Sequence, residues 1–452
     1  MRVNGHNQRA VVVVTEGASP KLLQRFIAEG LLPGFAKLFQ QTAWGELAAH
    51  VVPYEPPGLM TAFTGTTSSE HGWISYWTVH EPDHKPRVRI SHDLKVMPFW
   101  LRSKFADCHF SIVNVLGTHP PISMPGELIT YPMGQTVRAS YPADLLSNLL
   151  RCGFAYSHDV SIWYKGQARD EFSSRILEAD RRRALLAQHF YENGSDVVIV
   201  NLTSIDRACH YYWQELEEES TVPAAEGTIL NAFRVADELI RWFLNEMDDH
   251  TNLLVFSEIG FGHLKAYLSV NEILASAGFL AWSEPNRVDW TRTKAAEAVQ
   301  GSSGININLQ GRHPDGTVPA ADYERVRSEV ASVLRAAINP YTGLKLFSRV
   351  ALREEIYQGD GIGNAPDLIL FPLDPRYLPL GDPVWAHHVN RMLQSGWHRD
   401  TSYWALAGPR VSPGRRQERA SLLQVLPTIE EVLERSGSGE YAPLHYAATA
   451  PV

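Results

Sequence analysis

Two side chains four residues apart, Asp206 and His210, present a carboxylate and an imidazole from one face if their segment is helical. A divalent metal can use such a pair, and so can a helix that needs a capping aspartate and a packed histidine. What decides between them is what the rest of the chain delivers to the same place. Three more carboxylates are candidates by position. Glu16 precedes Gly17 at the end of an apolar run, Glu258 follows another such run, and Glu55 stands directly before Pro56 and Pro57. Glu55 also reads as a plain helix cap, favoured there by roughly 0.3–1 kcal/mol through the helix dipole.

The elements that must position these groups follow from apolar periodicity. Residues 196–202, nearly all β-branched, read as a buried strand of a parallel sheet that ends just before Asp206. Residues 10–15 end in the same way at Glu16, and residues 252–256 lead to Glu258. Pro56 opens a helix that Gly65 ends, with Glu55 at its N-cap. Further strands are expected at 44–50, 110–116 and 403–407, and helices at 20–29, 33–41, 171–191, 227–248 and 422–435. Within the helix at 171–191, the triplet Arg181, Arg182, Arg183 reads as a solvated face rather than a phosphate clamp. Strands alternating with helices predict an α/β fold with a doubly wound, mostly parallel sheet flanked by helices. Such sheets gather ligands at the carboxyl ends of their strands.

Composition narrows the partners. A net charge of -9, from 41 basic and 50 acidic residues with no basic run, argues against nucleic acid. Three cysteines, Cys108, Cys152 and Cys209, cannot all pair and point to a reducing compartment. The valines at 11–14 are too short a run for a signal-peptide core or a membrane span, so a cytoplasmic protein with no membrane partner is expected. The aromatic stretch 73–100 reads as a loop excursion over the site. If it and Tyr211, Tyr212 and Trp213 line the pocket, the partner is a small-molecule substrate with an apolar part. Oligomeric state stays open.

An ordered set of short stretches carries a resemblance. It comprises Thr64-Gly65 with Glu70-His71-Gly72, Asp206 through His210 with Trp213, residues 305–312, Ala365-Pro366-Asp367-Leu368, and His398 with Gly408-Pro409. In that order they resemble the type I phosphodiesterase/nucleotide pyrophosphatase branch of the alkaline phosphatase superfamily, over nearly the whole chain. The resemblance implies a single domain over 1–452, with insertions at about 73–190 and 265–395 forming a cap over the site. It also implies two metal ions, usually zinc, beside a Ser or Thr nucleophile. By that likeness Asp206, His210 and His398 hold one ion, while Glu16, Glu55 and Glu258 hold the other. Glu55 occupies the catalytic nucleophile's position, and Ile259 stands where a histidine ligand is expected. His263 is the best replacement for that ligand, and His387 and His388 are further loop candidates.

These departures change the expected chemistry. Four carboxylates against two divalent ions leave the site neutral, where the family's three leave it one charge positive, so the pull on a phosphate ester weakens. Four carboxylates with two histidines also form the ligand set of carboxylate-bridged di-iron and di-manganese proteins. The reading favoured on that ground is an oxidase or oxygenase of a small organic substrate, with iron or manganese preferred and zinc the other option. The alternative is metal-hydroxide hydrolysis of phosphodiesters or phosphomonoesters, and a third reading is a non-catalytic pseudoenzyme. No covalent phosphoryl-enzyme is expected, because Thr61, Thr64 and Thr66 lie further along the helix than Glu55.

Overall fold

The apolar runs become the middle of one sheet. Arg9–Thr15 (β1), Ala43–Ala48 (β2), Phe110–Val115 (β3), Gly126–Thr130 (β4), Val197–Leu202 (β5), Thr251–Phe256 (β6) and Thr401–Ala407 (β8) lie in the order β2, β8, β6, β1, β5, β3, β4. The strand Gly396–Arg399 (β7) precedes β8 and pairs with Gly260–His263 instead. From β6 to β4 every neighbour is parallel, with Val12 of β1 opposite Ile199 on one side and Leu254 on the other. Only β8 among these runs antiparallel, between β6 and β2. β3, β5 and β6 are buried along their whole length, which is why their sequences are mostly apolar and do not alternate. Helices flank the sheet, including Arg169–Glu192 (α2), Ser204–Tyr212 (α3) and Thr228–Glu246 (α4); Glu55–Thr64 is α1. The α/β fold expected from the sequence is the fold observed.

This computed structural model describes residues 8–132, 138–158, 167–217, 226–284, 287–299, 302–380, 394–435 and 440–446. His387 and His388 lie outside the described residues. The chain packs as two units, one of Met1–Thr67, Ile90–Gly262 and Arg391–Val452, the other of Ser68–Arg89 and His263–Asn390. The first contains the sheet above. The second is built on an antiparallel sheet ordered Ala295–Glu297, Gly304–Ile307, Leu368–Pro372, Phe347–Leu352, with the helix Tyr323–Ala336 in its core through Val330 and Leu334. There Arg312 grips Asp367 through both nitrogens (2.6 and 3.0 Å), and Asp367 also accepts from Ile307 N at 2.7 Å. Two of the stretches that carry the resemblance are thus joined to each other by a structural ion pair. Among the described residues, no helix is long and apolar enough to cross a membrane.

Two local expectations are corrected. Tyr54, not Glu55, is the N-cap of α1, and Glu55 is its first helical residue. The arginine triplet is not wholly solvated. Arg183 is 0% exposed and donates to Asp180 Oδ1 (2.6 Å) and Thr203 Oγ1 (2.8 Å). Asp180 in turn accepts from Thr203 N (3.2 Å) and Ser204 N (2.7 Å), so the buried pair caps the first turn of α3. Periodicity missed this because only one arginine of the three turns inward, and it does so to meet a carboxylate three residues back.

Candidate metal centre

The neighbouring strands β5, β1 and β6 end side by side. β1 delivers Glu16, β6 delivers Glu258 after Ser257, and β5 leads into α3, which carries Asp206, Arg207 and His210. Glycine permits the close approaches this requires. Gly17 has φ +81°, and a Cβ there would lie 2.9 Å from Asp206 Cα. A Cβ on Gly396 would lie 2.1 Å from the Cys209 carbonyl oxygen, so β7 meets α3 as bare backbone. That contact lets the Gly396 carbonyl accept from His210 Nδ1 at 3.2 Å. Two residues on, His398 Nδ1 meets the Pro53 carbonyl at 3.1 Å.

With both Nδ1 atoms spent on carbonyls, both Nε2 atoms point inward, and they come within 3.2 Å of each other. Asp206 Oδ1 is 3.3 Å from His398 Nε2 and 3.5 Å from His210 Nε2. Glu55 Oε1 is 3.4 Å from His398 Nε2. The four donor atoms all lie within 4.8 Å of one another, and all four residues are buried. A tetrahedral ion with bonds of about 2.0–2.2 Å needs ligand atoms about 3.3–3.6 Å apart. The contacts observed match that spacing, and two nitrogens and two oxygens suit zinc, manganese or iron. These residues fit a divalent ion.

The charges are arranged for it as well. Burial pushes His210 down to about 3, against the pull of Asp206, so its imidazole is neutral. Burial would lower His398 too, but Glu55 and Asp206 outweigh it and hold that imidazole above its ordinary value. Asp206 is driven upward by burial, yet His210, Arg207 and His398 win and keep it ionised far below the usual carboxylate range. Glu55 is raised by burial, with His398 opposing. Around the imidazoles, Phe261 stands edge-on to His210 at 4.8 Å, and Trp397 stacks on His398 at 4.9 Å.

The sequence grouping placed Glu55 with Glu16 and Glu258, but the structure sets its carboxylate against His398. Glu16 Oε1 takes Arg207 Nη1 at 3.4 Å and Oε2 takes Asn201 Nδ2 at 2.8 Å. Arg207 also pairs with Asp206 and donates to the Tyr131 hydroxyl. Burial pushes Glu16 well above the carboxylate range, with Arg207 pulling the other way. Glu258 is fully buried with neither oxygen hydrogen-bonded among the described residues, and burial raises it strongly. His263 does not join the converging set among the described residues. Sequence reasoning passed over Arg207, Asn201 and the rings of Phe261 and Trp397. Asn201 alone carried a signal, as the polar residue inside an otherwise apolar strand.

No curated protein sequence matches the chain. Solved structures do match its fold. The phosphonoacetate hydrolase of Sinorhizobium meliloti 1021, in complex with phosphonoformate, superposes with a TM-score of 0.61 at 14% identity, covering 96% of each chain. Murine ectonucleotide pyrophosphatase/phosphodiesterase 5, in an inactive form with AMP, gives 0.57 at 12% identity, again over 96% of each. A variant of the alkaline phosphatase PafA gives 0.60 at 14% identity, over 98% of this chain and 99% of that one. All three belong to the alkaline phosphatase superfamily, and the family model of type I phosphodiesterase/nucleotide pyrophosphatase matches residues 10–401. With every residue of the candidate centre inside that span, the chain belongs to the type I phosphodiesterase/nucleotide pyrophosphatase family.

Proposed function

We propose that this chain is a metal-dependent hydrolase of phosphoester bonds, with phosphodiesters or pyrophosphates as its substrate class. The observation that carries the reading is the pair of buried imidazoles whose Nδ1 atoms are tied to carbonyls and whose Nε2 atoms face each other at 3.2 Å beside Asp206 and Glu55. Glu55, Asp206, His210 and His398 would hold a divalent ion, which when bound supplies Lewis-acid polarisation of a phosphoryl oxygen and acidifies water. The Gly396 and Pro53 carbonyls fix the two rings in the tautomer that leaves Nε2 free to bind. Phe261 and Trp397 pack against those rings and keep water from competing at their edges. Glu55 opens α1, where the helix dipole holds its negative charge. The hydroxyl of Thr64, nine residues further on, is committed to the Met60 carbonyl at 2.6 Å and leaves Glu55 as the reactive helix's leading polar group.

Family membership supports hydrolysis, as do the phosphorus-bearing ligands bound to two structural neighbours, AMP and phosphonoformate. The oxidative chemistry weighed from the sequence has no support. It needed four carboxylates shared between two ions, and Glu16 instead spends both oxygens on Arg207 and Asn201.

The test is turnover of bis(4-nitrophenyl) phosphate and of a nucleoside pyrophosphate by chelator-stripped protein, before and after adding Zn(II) or Mn(II). Activity should need the ion and should fall at least about 100-fold in Asp206→Asn and in His398→Ala. Cleavage indifferent to chelation and to both substitutions would refute the proposal. An oxygen-dependent absorption band in Fe(II)-loaded protein that cleaves no phosphoester would favour the oxidative reading.

A further inference from the structure

We infer that Arg207 supplies, as a fixed side-chain cation, the positive charge a second metal ion would otherwise bring, so that the site takes one divalent ion per chain. The inference rests on the proposed metal-dependent reading of the four-residue cluster and extends it to stoichiometry.

A second ion would need Glu16, Glu55 and Glu258 together. Both oxygens of Glu16 are already engaged, Oε1 by Arg207 at 3.4 Å and Oε2 by Asn201 at 2.8 Å. Glu55 Oε1 faces His398. Glu258 is what remains, and one carboxylate does not make a site for an ion that takes four or more ligands. Among the described residues, the only group of three or more potential ligands whose donor atoms converge is the four-residue cluster, and neither Glu16 nor Glu258 is in it.

Arg207 itself is 2% exposed and is anchored at three points, by Glu16, by Asp206 and by the Tyr131 hydroxyl. It cannot turn out to solvent without giving up all three contacts at buried groups. A guanidinium keeps its charge at every pH the protein meets, and here its Nη1 meets both carboxylates while Nη2 donates to the Tyr131 hydroxyl. A second dication beside Glu16 would lie within a few ångströms of that charge, in an interior too dry to screen the repulsion. One ion and one guanidinium, +3 together, offset the carboxylates of Glu16, Glu55 and Asp206, and Glu258 is left as the one further buried carboxyl. Arg207 is a positioning residue here. It holds Asp206 Oδ2, which leaves Oδ1 toward the imidazoles.

Chelator-stripped protein titrated with ZnCl2 by calorimetry, with bound zinc counted by mass spectrometry after gel filtration, tests this. The wild-type chain should bind one ion, Glu16→Gln should still bind one, and Arg207→Lys, which keeps the charge, should bind one. Arg207→Met removes the charge and frees Glu16 Oε1 and Asp206 Oδ2 beside the unpaired Glu258 carboxylate, and should bind two. Two ions in the wild type, one of them lost in Glu16→Gln, would overturn this inference while leaving the hydrolase reading intact. One ion in a folded Arg207→Met would overturn it too. If Arg207→Met does not fold, the Glu16→Gln and Arg207→Lys counts decide. No ion in the wild type would overturn the metal reading and this inference with it.

Discussion

Neutralising Asp180 should damage the candidate centre from a distance, because that carboxylate holds the start of the helix carrying Asp206 and His210. Asp180 is 0% exposed and accepts from Arg183 Nη1 and from the backbone N–H groups of Thr203 and Ser204. In Asp180→Ala the Arg183 guanidinium is left buried without its carboxylate, a loss of about 3–5 kcal/mol for breaking one side of a buried pair. Two helix donors lose their cap as well, adding roughly 1–2 kcal/mol. A total near 5 kcal/mol is comparable to the whole stability of many domains. Asp180→Asn keeps an acceptor for the helix donors, so it should cost about 3 kcal/mol, mostly from the unpaired charge. Adding Arg183→Met to Asp180→Asn removes that charge and should recover at least about half of the loss, since an apolar replacement of a buried pair is often near neutral. Urea unfolding followed by tryptophan fluorescence reads all three, and zinc titration of the same proteins reads the effect on the site. If Asp180→Asn unfolds within about 1 kcal/mol of wild type, or the double variant is no better than the single, the buried-pair argument is wrong.

Metal affinity should depend on pH with a definite sign. His398 and Glu55 are both raised in the ion-free protein, whereas Asp206 is held low and His210, lowered to about 3, is a neutral imidazole whose Nε2 is free of a proton. Below the raised value of His398 an ion must displace that group's proton, so affinity should weaken about tenfold per pH unit there and level off above it; calorimetry in buffers of different ionisation enthalpy counts the proton, and a flat profile from pH 5 to 8 would refute the assignment. Gly17→Ala places a Cβ 2.9 Å from Asp206 Cα at φ +81°, so it should cost about 2 kcal/mol and weaken zinc binding, whereas Gly278→Ala, also at positive φ but with open space around it, should lose stability and leave zinc binding unchanged. Thr61→Val, Thr64→Val and Thr66→Val should each retain phosphodiesterase turnover, and no covalent phosphoryl-enzyme should be trapped by acid quench; a phosphorylated hydroxyl at any of the three would contradict the role given to Glu55.

Much of the fold was legible because the parallel strands are buried on both faces. Residues 10–15, 196–202 and 252–256 are mostly apolar with many β-branched side chains and do not alternate, the pattern of a buried parallel strand. Their ends marked Glu16, Asp206 and Glu258 without any knowledge of three-dimensional contacts. The convergence of Asp206 with His210 was legible from helical spacing. That of His398 was not, since it rests on β7 approaching α3 at Gly396, and it came instead through the family resemblance. The pairing of Glu16 with Arg207 was also hidden. Arg207 adjoins Asp206, and neighbouring residues on a helix point about 100° apart, so the sequence offered no reason for both to reach one carboxylate. The inward turn of Arg183 escaped for a similar reason, because a charge triplet carries no mark of which member is buried.

The central claim, that Glu55, Asp206, His210 and His398 hold a divalent ion, is tested most directly by anomalous diffraction at the zinc or manganese edge from crystals loaded with either ion. One peak about 2.0–2.3 Å from His210 Nε2, His398 Nε2, Asp206 Oδ1 and Glu55 is the result predicted. A peak coordinated by Glu16 and Glu258 and away from the two imidazoles, or no peak at an ion concentration that supports turnover, would contradict it.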